Sequence, residues 1–197
     1  MGFDIYGLRP FARTPKPLNI DFKSASREEM EKYYYNMSEW YKENPGGYLR
    51  LALGGWSPMV AIMKLANRKY ELNIDMRQWE YNDGYGLSNK EKCIKLAESL
   101  EKISWEIKKW LIRIGVDNDE LEDYIFGINR NSWGRVDQIK ITKNEEKKLI
   151  YRFASRTITK YKYTINGIDY VTSSTMNLRT MNILITFLKE SGGFSIW

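Results

Sequence analysis

The segment from residue 88 to residue 114 constrains the fold of this chain more than any other stretch. Ser88 and Glu91 have the spacing of a helix capping box, and Gly115 is a residue type that commonly ends a helix. The segment predicts one amphipathic helix of roughly 40 Å, enough to span a small domain, since each residue advances a helix by about 1.5 Å. Its predicted buried stripe consists of Cys93, Leu96, Leu100, Ile103, Ile107, Trp110 and Ile114.

Short segments of alternating polarity at the two chain ends predict two strands that belong to the same sheet. Phe3 and Ile5 fall on one side of the first segment, and Phe194 and Ile196 fall on one side of the last. Because strands this short are not stable alone, we expect both to belong to one sheet that the 88–114 helix covers.

Capping residues predict further helices. Ser26 and Glu29 form the expected capping box of a helix that runs to about Asn44. Ser57 and Pro58 would supply the N-cap and the first helical position of the next helix. The remaining predictions are a short acidic helix over 117–126, a last helix that begins within 173–175, and either a strand or a continued helix over 72–81.

The C-terminal third has the two-residue period of β-strands. A strand around Ile139 precedes a long β run over 148–165, which a bend near residues 154–155 would divide in two. Asn166-Gly167 is a strong hairpin signal between two alternating segments. We therefore predict a single α+β domain over residues 1–197. Its antiparallel sheet, made of the N- and C-terminal strands and the C-terminal meander, is expected to pack on the long helix and shorter helices.

The composition excludes several classes of enzyme. The 197 residues include no histidine, which rules out Ser-His-Asp and Cys-His catalysis and zinc sites built with histidine. Cys93 is the single cysteine, and its place on the apolar stripe predicts a buried, inert thiol in a reducing compartment. A metal-dependent enzyme would have to use carboxylates such as Asp83, Asp117 or Asp119, and only the abundance of acids supports that alternative. The sequence favours a non-enzymatic protein without a cofactor or a metal.

Signals for secretion and for membrane insertion are missing from the sequence. The first ten residues, MGFDIYGLRP, lack the apolar core of a signal peptide. No apolar run approaches the length of about 18 residues that a spanning helix needs. We therefore expect a cytoplasmic protein with no membrane partner.

The net charge of +6 comes from the C-terminal third. Residues 1–134 contain 20 basic and 20 acidic residues, whereas residues 135–197 contain 11 basic and 5 acidic ones. This asymmetry predicts either an anionic partner near the C-terminal third or a solvated basic surface.

The sharpest basic feature lies in the β run. Arg152, Arg156 and Lys160 share one parity if the strand continues unbroken through residues 154–155. A face of this kind would bind phosphate groups. The alternative is an outer face that keeps the protein in solution.

Polar residues also interrupt two other patterns. Arg50 stands in an apolar segment near Tyr48 and Trp56, and a guanidinium among rings can hold a phosphate while the rings stack on a base. Asn82 and Asp83 form a turn before the long helix and are candidates to contact a hydroxyl or a base edge. The alternatives are an arginine paired with a helix-end carboxylate and a turn whose side chains bond their own backbone.

Three parts of the sequence, taken in order, point to a family. They are the start MGFDIYGLRP, the middle segments 47–50 (GYLR) and 81–84 (YNDG) with Trp56 and Pro58 between them, and the end 187–194. Together they resemble a family of small, uncharacterised proteins of tailed bacteriophages and their prophages, over about half of the chain. Many members carry paired cysteines where this chain has its predicted meander, so a metal-related role of those cysteines does not carry over. The resemblance implies a viral origin, hence the host cytoplasm, and no established activity.

The leading hypothesis is a non-enzymatic viral protein that binds a small anionic, nucleotide-like ligand, such as a cyclic nucleotide that signals host immunity. The predicted binding residues are Tyr48, Arg50, Trp56, Asn82, Asp83, Arg152, Arg156 and Lys160. One alternative is a nucleic-acid-binding accessory protein, which the positive charge supports. Another is a blocker of a host protein. The sequence leaves open the ligand, the host target and whether the chain forms a homo-oligomer.

Overall fold

The computed structural model describes residues 2–113, 115–124, 126–129, 138–140, 148–153, 156–165, 168–172 and 175–197. For residues 52–54, residue 110 and the described residues from 126 to 175, this description covers the backbone alone. The helices are α1 Arg27–Glu43, α2 Leu53–Lys69, α3 Lys90–Arg113 and α4 Leu178–Glu190. The strands are β1 Gly2–Gly7, β2 Tyr48–Ala52, β3 Gly86–Leu87, β4 Phe126–Asn129, β5 Gln138–Lys140, β6 Lys148–Phe153, β7 Arg156–Ile165, β8 Ile168–Thr172, β9 Thr175–Met176 and β10 Phe194–Ile196.

The two chain ends meet in one antiparallel sheet, which confirms the α+β prediction. The strand order is β2-β1-β10-β3, and Ile5 of the first strand lies opposite Ile196 of the last. Phe3 and Ile5 are buried on the core face, where α2 packs over β1 and β2. The helix α3 lies beside β3 and packs against both α2 and α4. One continuous apolar core joins the sheet to these three helices.

The long helix has the predicted stripe and a different N-cap. Cys93, Leu96, Leu100, Ile103 and Ile107 are all at most 3% exposed, while the side chain of Trp110 and all of Ile114 lie outside the described part of the chain. The capping box at Ser88 and Glu91 was wrong by one residue, because the Asn89 side chain accepts the bond from Lys92 N at 2.9 Å. The Ser88 carbonyl instead accepts a bond from Arg9 Nη2 at 2.7 Å.

The end of the long helix is confirmed at Gly115. This residue has a φ of +86°, which glycine adopts without the steric cost that a Cβ brings. Its N–H bonds the Ile112 carbonyl at 3.0 Å, and the N–H of Val116 bonds the Leu111 carbonyl at 3.1 Å. These two bonds form a Schellman motif, and Val116 packs against the core just beyond it.

The first two helices differ in how well local signals placed their starts. The capping box of Ser26 and Glu29 is present in α1 as predicted. The prediction that Ser57 and Pro58 begin α2 was wrong, because the helix starts at Leu53 and carries Pro58 inside it. Trp56, in the early part of α2, is 1% exposed and donates from Nε1 to the Trp79 carbonyl at 2.6 Å. This tertiary anchor holds the early turns of the helix despite the backbone donor that proline lacks.

The segment after α2 is neither a strand nor a continued helix. Glu71 and Asn73 have φ angles of +50° and +53°, which a continuing helix or strand does not adopt. The Asn67 side chain then bonds both the N–H and the carbonyl of Ile74, at 3.0 and 2.8 Å. An asparagine side chain therefore satisfies the backbone that a strand partner would otherwise satisfy.

The acidic segment after the long helix forms successive turns, so the predicted helix over 117–126 was wrong in its described part. The N–H of Glu120 bonds the Asp117 carbonyl at 3.0 Å, and that of Tyr124 bonds the Glu120 carbonyl at 2.9 Å. Leu121 is buried, but the segment has five acids, and closely spaced like charges disfavour a helix.

The described strands of the C-terminal third form two three-stranded antiparallel sheets, with orders β5-β4-β9 and β6-β7-β8. The predicted division of the β run is confirmed, since β6 and β7 pair across residues 154–155. Ile165 lies opposite Ile168, which agrees with the hairpin predicted at Asn166-Gly167, although that turn itself lies outside the described residues. The meander is not part of the terminal sheet, where β3 pairs with β10.

The last helix begins later than predicted. Residues 175–176 form β9, and Asn177 caps α4 by accepting a bond from Thr180 N at 2.9 Å. The helix buries an apolar stripe, which consists of Leu178, Met181, Leu184, Ile185 and Leu188. Across the described residues, no helix combines the length and the apolar character that crossing a membrane would require.

Candidate ligand-binding groove

The outer face of β1 and β2 carries the polar and aromatic residues of the candidate site. The strand register places Asp4 opposite Arg50 and Tyr6 opposite Tyr48. Because side chains alternate between the two faces of a strand, these four residues share the face opposite to Phe3 and the core. The alternation that buries one half of β1 thus presents the other half to a ligand.

Helix α1 forms the second wall of an open groove of about 730 Å³. Most of its lining is aromatic: five tyrosines are joined by one methionine, one serine and two cations. We call this site the tyrosine groove, and its lining residues are Tyr6, Tyr33, Tyr34, Met37, Ser38, Tyr41, Lys42, Tyr48 and Arg50. A volume of this size falls in the range of small-molecule sites.

The rings of the tyrosine groove are centred on Tyr48. Its ring centroid lies 5.0 Å from that of Tyr6 and 4.9 Å from that of Tyr41, with interplanar angles of 39° and 37°. Tyr33 and Tyr34 pack on each other at 5.8 Å and 67°. These rings fix one another, so the groove is walled by aromatic surfaces that are already in place without a ligand.

One end of the tyrosine groove is charged. The Tyr48 hydroxyl donates to Asp4 Oδ1, and Arg50 Nε lies 3.6 Å from the same oxygen. The Arg50 side chain is nevertheless 73% exposed, so this pairing leaves most of the guanidinium accessible. Lys42 is also largely exposed, but its ammonium group lies only 2.6 Å from Glu39, a closer pairing than that of Arg50. Arg50 is therefore the principal cation that the groove offers to a ligand.

Three tyrosines of the groove, Tyr6, Tyr41 and Tyr48, are neutral at physiological pH. Burial raises the pKa of the Tyr48 hydroxyl well above its usual value, and its bond to Asp4 adds to this shift. Burial likewise raises the pKa of Tyr41 and of Tyr6. The rings therefore act as uncharged stacking surfaces and hydrogen-bond donors, and none of these three is a base near pH 7.

Asn44 holds α1 in place beside the sheet. It is fully buried, its Nδ2 donates to Trp40 O at 2.8 Å and to Thr14 Oγ1 at 2.9 Å, and its Oδ1 accepts from Arg13 N at 2.5 Å. Trp40 Nε1 donates to the Thr14 carbonyl at 2.9 Å. A Cβ at Gly47 would lie 2.7 Å from the Trp40 ring, so glycine is what lets β2 start beside the helix end. These contacts fasten the end of α1 to residues 13–14 and to the start of β2.

The structure brings together only part of the predicted site. Tyr48 and Arg50 line the groove, whereas Trp56 belongs to the core on the other face of the sheet. Asn82 Nδ2 donates to the Gly2 carbonyl at 3.0 Å, and Asp83 Oδ1 accepts a long bond from Tyr85 N at 3.4 Å. Asp83 therefore bonds the backbone of its own turn, as the alternative supposed, whereas Asn82 bonds the backbone of β1, and neither lines the groove.

The basic residues of the β run are divided between two strands. Arg152 lies in β6 opposite Thr157, while Arg156 and Lys160 lie in β7. Their side chains lie outside the described part of the chain, so a role for them stays a prediction.

Sequence reasoning missed most of the groove. Tyr6 had a usable signal, because its alternation with Ile5 already placed it on the polar side of β1. Tyr41 had none, since a tyrosine near a helix end is compatible with core packing and with solvent exposure alike. Within the described residues, no group of three or more acidic or cysteine side chains could hold a metal ion.

Comparisons with protein-family models, with curated proteins and with solved structures find no match for this chain.

Proposed function

We propose that the tyrosine groove binds a small anionic ligand that carries an aromatic ring, namely a nucleotide, and binds it without chemical change. The observation that carries the proposal is the position of Arg50, a largely exposed guanidinium at the end of a groove with preformed tyrosine walls. A ring system stacks on tyrosine, with roughly 1–3 kcal/mol for each stacked base. A guanidinium binds phosphate with two parallel hydrogen bonds.

The charge balance of the groove favours an anion over a cation. Asp4 is the acid closest to this end, and Tyr48 and Arg50 already bond one of its oxygens. A cationic ligand that approached that carboxylate would be repelled by the Arg50 guanidinium beside it. An anionic group can instead accept hydrogen bonds from the exposed N–H groups of the Arg50 guanidinium.

Binding without catalysis follows from the chemistry of the lining. Burial holds the tyrosines at the centre of the groove neutral, the lining includes no thiol or histidine, and the Asp4 carboxylate beside it pairs with Tyr48 and Arg50. The resemblance to tailed-bacteriophage proteins implies a viral origin and no activity; for a protein of that origin we propose that the groove sequesters a nucleotide signal of host immunity, such as a cyclic nucleotide. Sequestration requires that the protein bind the ligand tightly, and it does not require a chemical reaction.

Isothermal titration calorimetry against nucleoside monophosphates, cyclic mononucleotides and cyclic dinucleotides tests the proposal. A ligand of the groove should bind the parent protein and raise its melting temperature by mass action. Arg50→Ala should weaken that binding by about 1.5–3 kcal/mol, because a charge-assisted hydrogen bond is lost. The matched control is Arg77→Ala, which removes an exposed arginine that also pairs with an aspartate, Asp75, and lies outside the groove lining.

The results separate the proposed function from its alternatives. Equal losses in Arg50→Ala and Arg77→Ala would indicate an effect of net charge and would refute the groove as the site. Affinity for oligonucleotides that falls steeply with salt would favour the nucleic-acid alternative. No heat with any nucleotide or oligonucleotide would refute nucleotide binding and favour a blocker of a host protein.

A further inference from the structure

Asp4 holds an unusual position for an acid beside a site for an anion. The strand that carries it is held at both edges: β2 pairs along one edge, and on the other the Asp4 N–H donates to the Trp197 carbonyl and the Asp4 carbonyl accepts from the Trp197 N–H, each at 2.7 Å. Its side chain contacts two groove residues, Tyr48 and Arg50. The carboxylate is therefore fixed at the Arg50 end of the groove and cannot move far from a ligand bound there.

The two oxygens of Asp4 have different surroundings. Oδ1 accepts the bond from the Tyr48 hydroxyl and lies 3.6 Å from Arg50 Nε. No hydrogen bond from a residue in the described ranges reaches Oδ2, and the side chain is 35% exposed. An ionised carboxylate is an acceptor with capacity for more bonds than Oδ1 receives here. Asp4 Oδ2 thus offers an acceptor beside the guanidinium that would bind the phosphate.

We infer that Asp4 selects ribonucleotides over 2′-deoxyribonucleotides, an inference that rests on the proposed nucleotide-binding function. A phosphate on Arg50 cannot approach Asp4 closely, because two anions repel. The ligand group nearest to the phosphate that can donate to a carboxylate is a sugar hydroxyl. In a nucleoside 3′,5′-cyclic monophosphate, the 2′-hydroxyl is the sugar hydroxyl that remains. Carboxylates recognise the same hydroxyl in dinucleotide-binding proteins.

The base is a poorer partner for Asp4 than the sugar. The rings of Tyr6 and Tyr41 pack on that of Tyr48, whose hydroxyl bonds Asp4, and stacking on these rings holds a base by its faces. The sugar then lies between the stacked base and the phosphate on Arg50, as the covalent order of a nucleotide requires. The sugar is therefore the part of the ligand closest to the Asp4 carboxylate, which lies next to Arg50.

Calorimetry with matched ribo and deoxyribo ligands tests the selection. The probes are adenosine and guanosine 3′,5′-cyclic monophosphates and their 2′-deoxy counterparts, each titrated into the parent protein. We expect the parent to prefer the ribo form by about 10- to 100-fold, the range of one hydrogen bond to a charged acceptor. A ratio near one for ligands that do bind would overturn the selection by Asp4 and would leave the proposed function standing.

Substitutions of Asp4 should weaken the binding of the ribo ligand without weakening that of the deoxy ligand. Asp4→Ala should abolish the preference, weakening the ribo ligand while leaving the deoxy ligand equal or tighter because a repulsive charge is gone. Asp4→Asn should fall between, since its amide forms only a neutral bond to the hydroxyl. The control is Asp75→Asn, an aspartate also bonded to an arginine and outside the groove, which should keep the parent ratio.

The outcomes remain distinguishable if a variant is unstable. Melting curves establish which variants fold, and the ratio in the parent needs no variant at all. If Asp4→Asn folds and keeps the full preference, another group makes the selection and the inference is wrong. If the parent binds neither form of any nucleotide, the proposed function fails and this inference fails with it.

Discussion

The replacement of Phe194 by alanine tests how the chain end joins the core. Phe194 is 1% exposed, and its ring meets that of Trp79 edge-on at 5.0 Å and 72° and that of Phe187 at 6.0 Å and 61°. The substitution removes both ring contacts and leaves a cavity between the sheet and α4. Phe→Ala changes in well-packed cores cost about 3–5 kcal/mol, and this site has the packing that puts it in that range.

Urea denaturation followed by far-ultraviolet circular dichroism measures this cost. With an m value of about 2 kcal/mol/M, a loss of 3–5 kcal/mol lowers the midpoint by roughly 1.5–2.5 M. The control is Trp197→Ala, which removes a larger ring three residues later. Trp197 is 56% exposed and rests on Gly84, so its removal should cost less than about 1 kcal/mol.

The comparison between the two variants carries the test. The backbone bonds between Asp4 and residue 197 remain in Trp197→Ala. The two variants therefore compare the loss of a buried side chain with the loss of an exposed one. A midpoint of Phe194→Ala within about 0.3 M of the parent would show that the last strand is not part of the core. Equal shifts in both variants would likewise refute the reasoning from burial.

Three further predictions concern α3 and its end. Leu100→Ala, at a residue that is 0% exposed, should destabilise by about 2–5 kcal/mol in urea denaturation; a parent-like midpoint would show that the stripe is not buried. Gly115→Ala should cost about 1 kcal/mol from its φ of +86° alone, since a Cβ there meets nothing within 4 Å; no loss in the same assay would contradict the Schellman ending. Burial raises the pKa of the Cys93 thiol to about 11, so a disulfide reagent at pH 8 should label it only in the unfolded protein. Because folding raises this pKa, the protonated thiol contributes to the free energy of unfolding below the unfolded pKa of about 8.5. That contribution is lost as the pH rises through about 11. Cys93→Ala should remove this decline in stability.

The tyrosine groove shows where sequence reasoning about function stopped. Tyr48 and Arg50 could be selected because a charged residue interrupted an apolar segment, a local irregularity. Their partners come from other parts of the chain: Tyr6 through strand pairing and Tyr41 through the anchoring of α1. Trp56 stands near Arg50 in sequence but lies on the opposite side of the sheet, which closeness along the chain cannot reveal.

The sequence by itself determined features whose causes are local. The capping box at Ser26, the ending at Gly115 and the apolar stripe around Leu100 follow from side-chain chemistry within one or two helical turns. The pairing of the two chain ends was also predictable, because each short alternating strand lacked a neighbouring partner. These features required no knowledge of distant contacts.

Tertiary structure decided the features in which local signals competed with packing. It started α2 at Leu53, because burial of Trp56 and its bond to Trp79 outweigh the start signal at Pro58. It moved the cap of α3 to Asn89, next to a Ser88 carbonyl that Arg9 bonds from the far end of β1. The groove arose in the same way, because two elements distant in sequence must pack before their exposed faces can form a site.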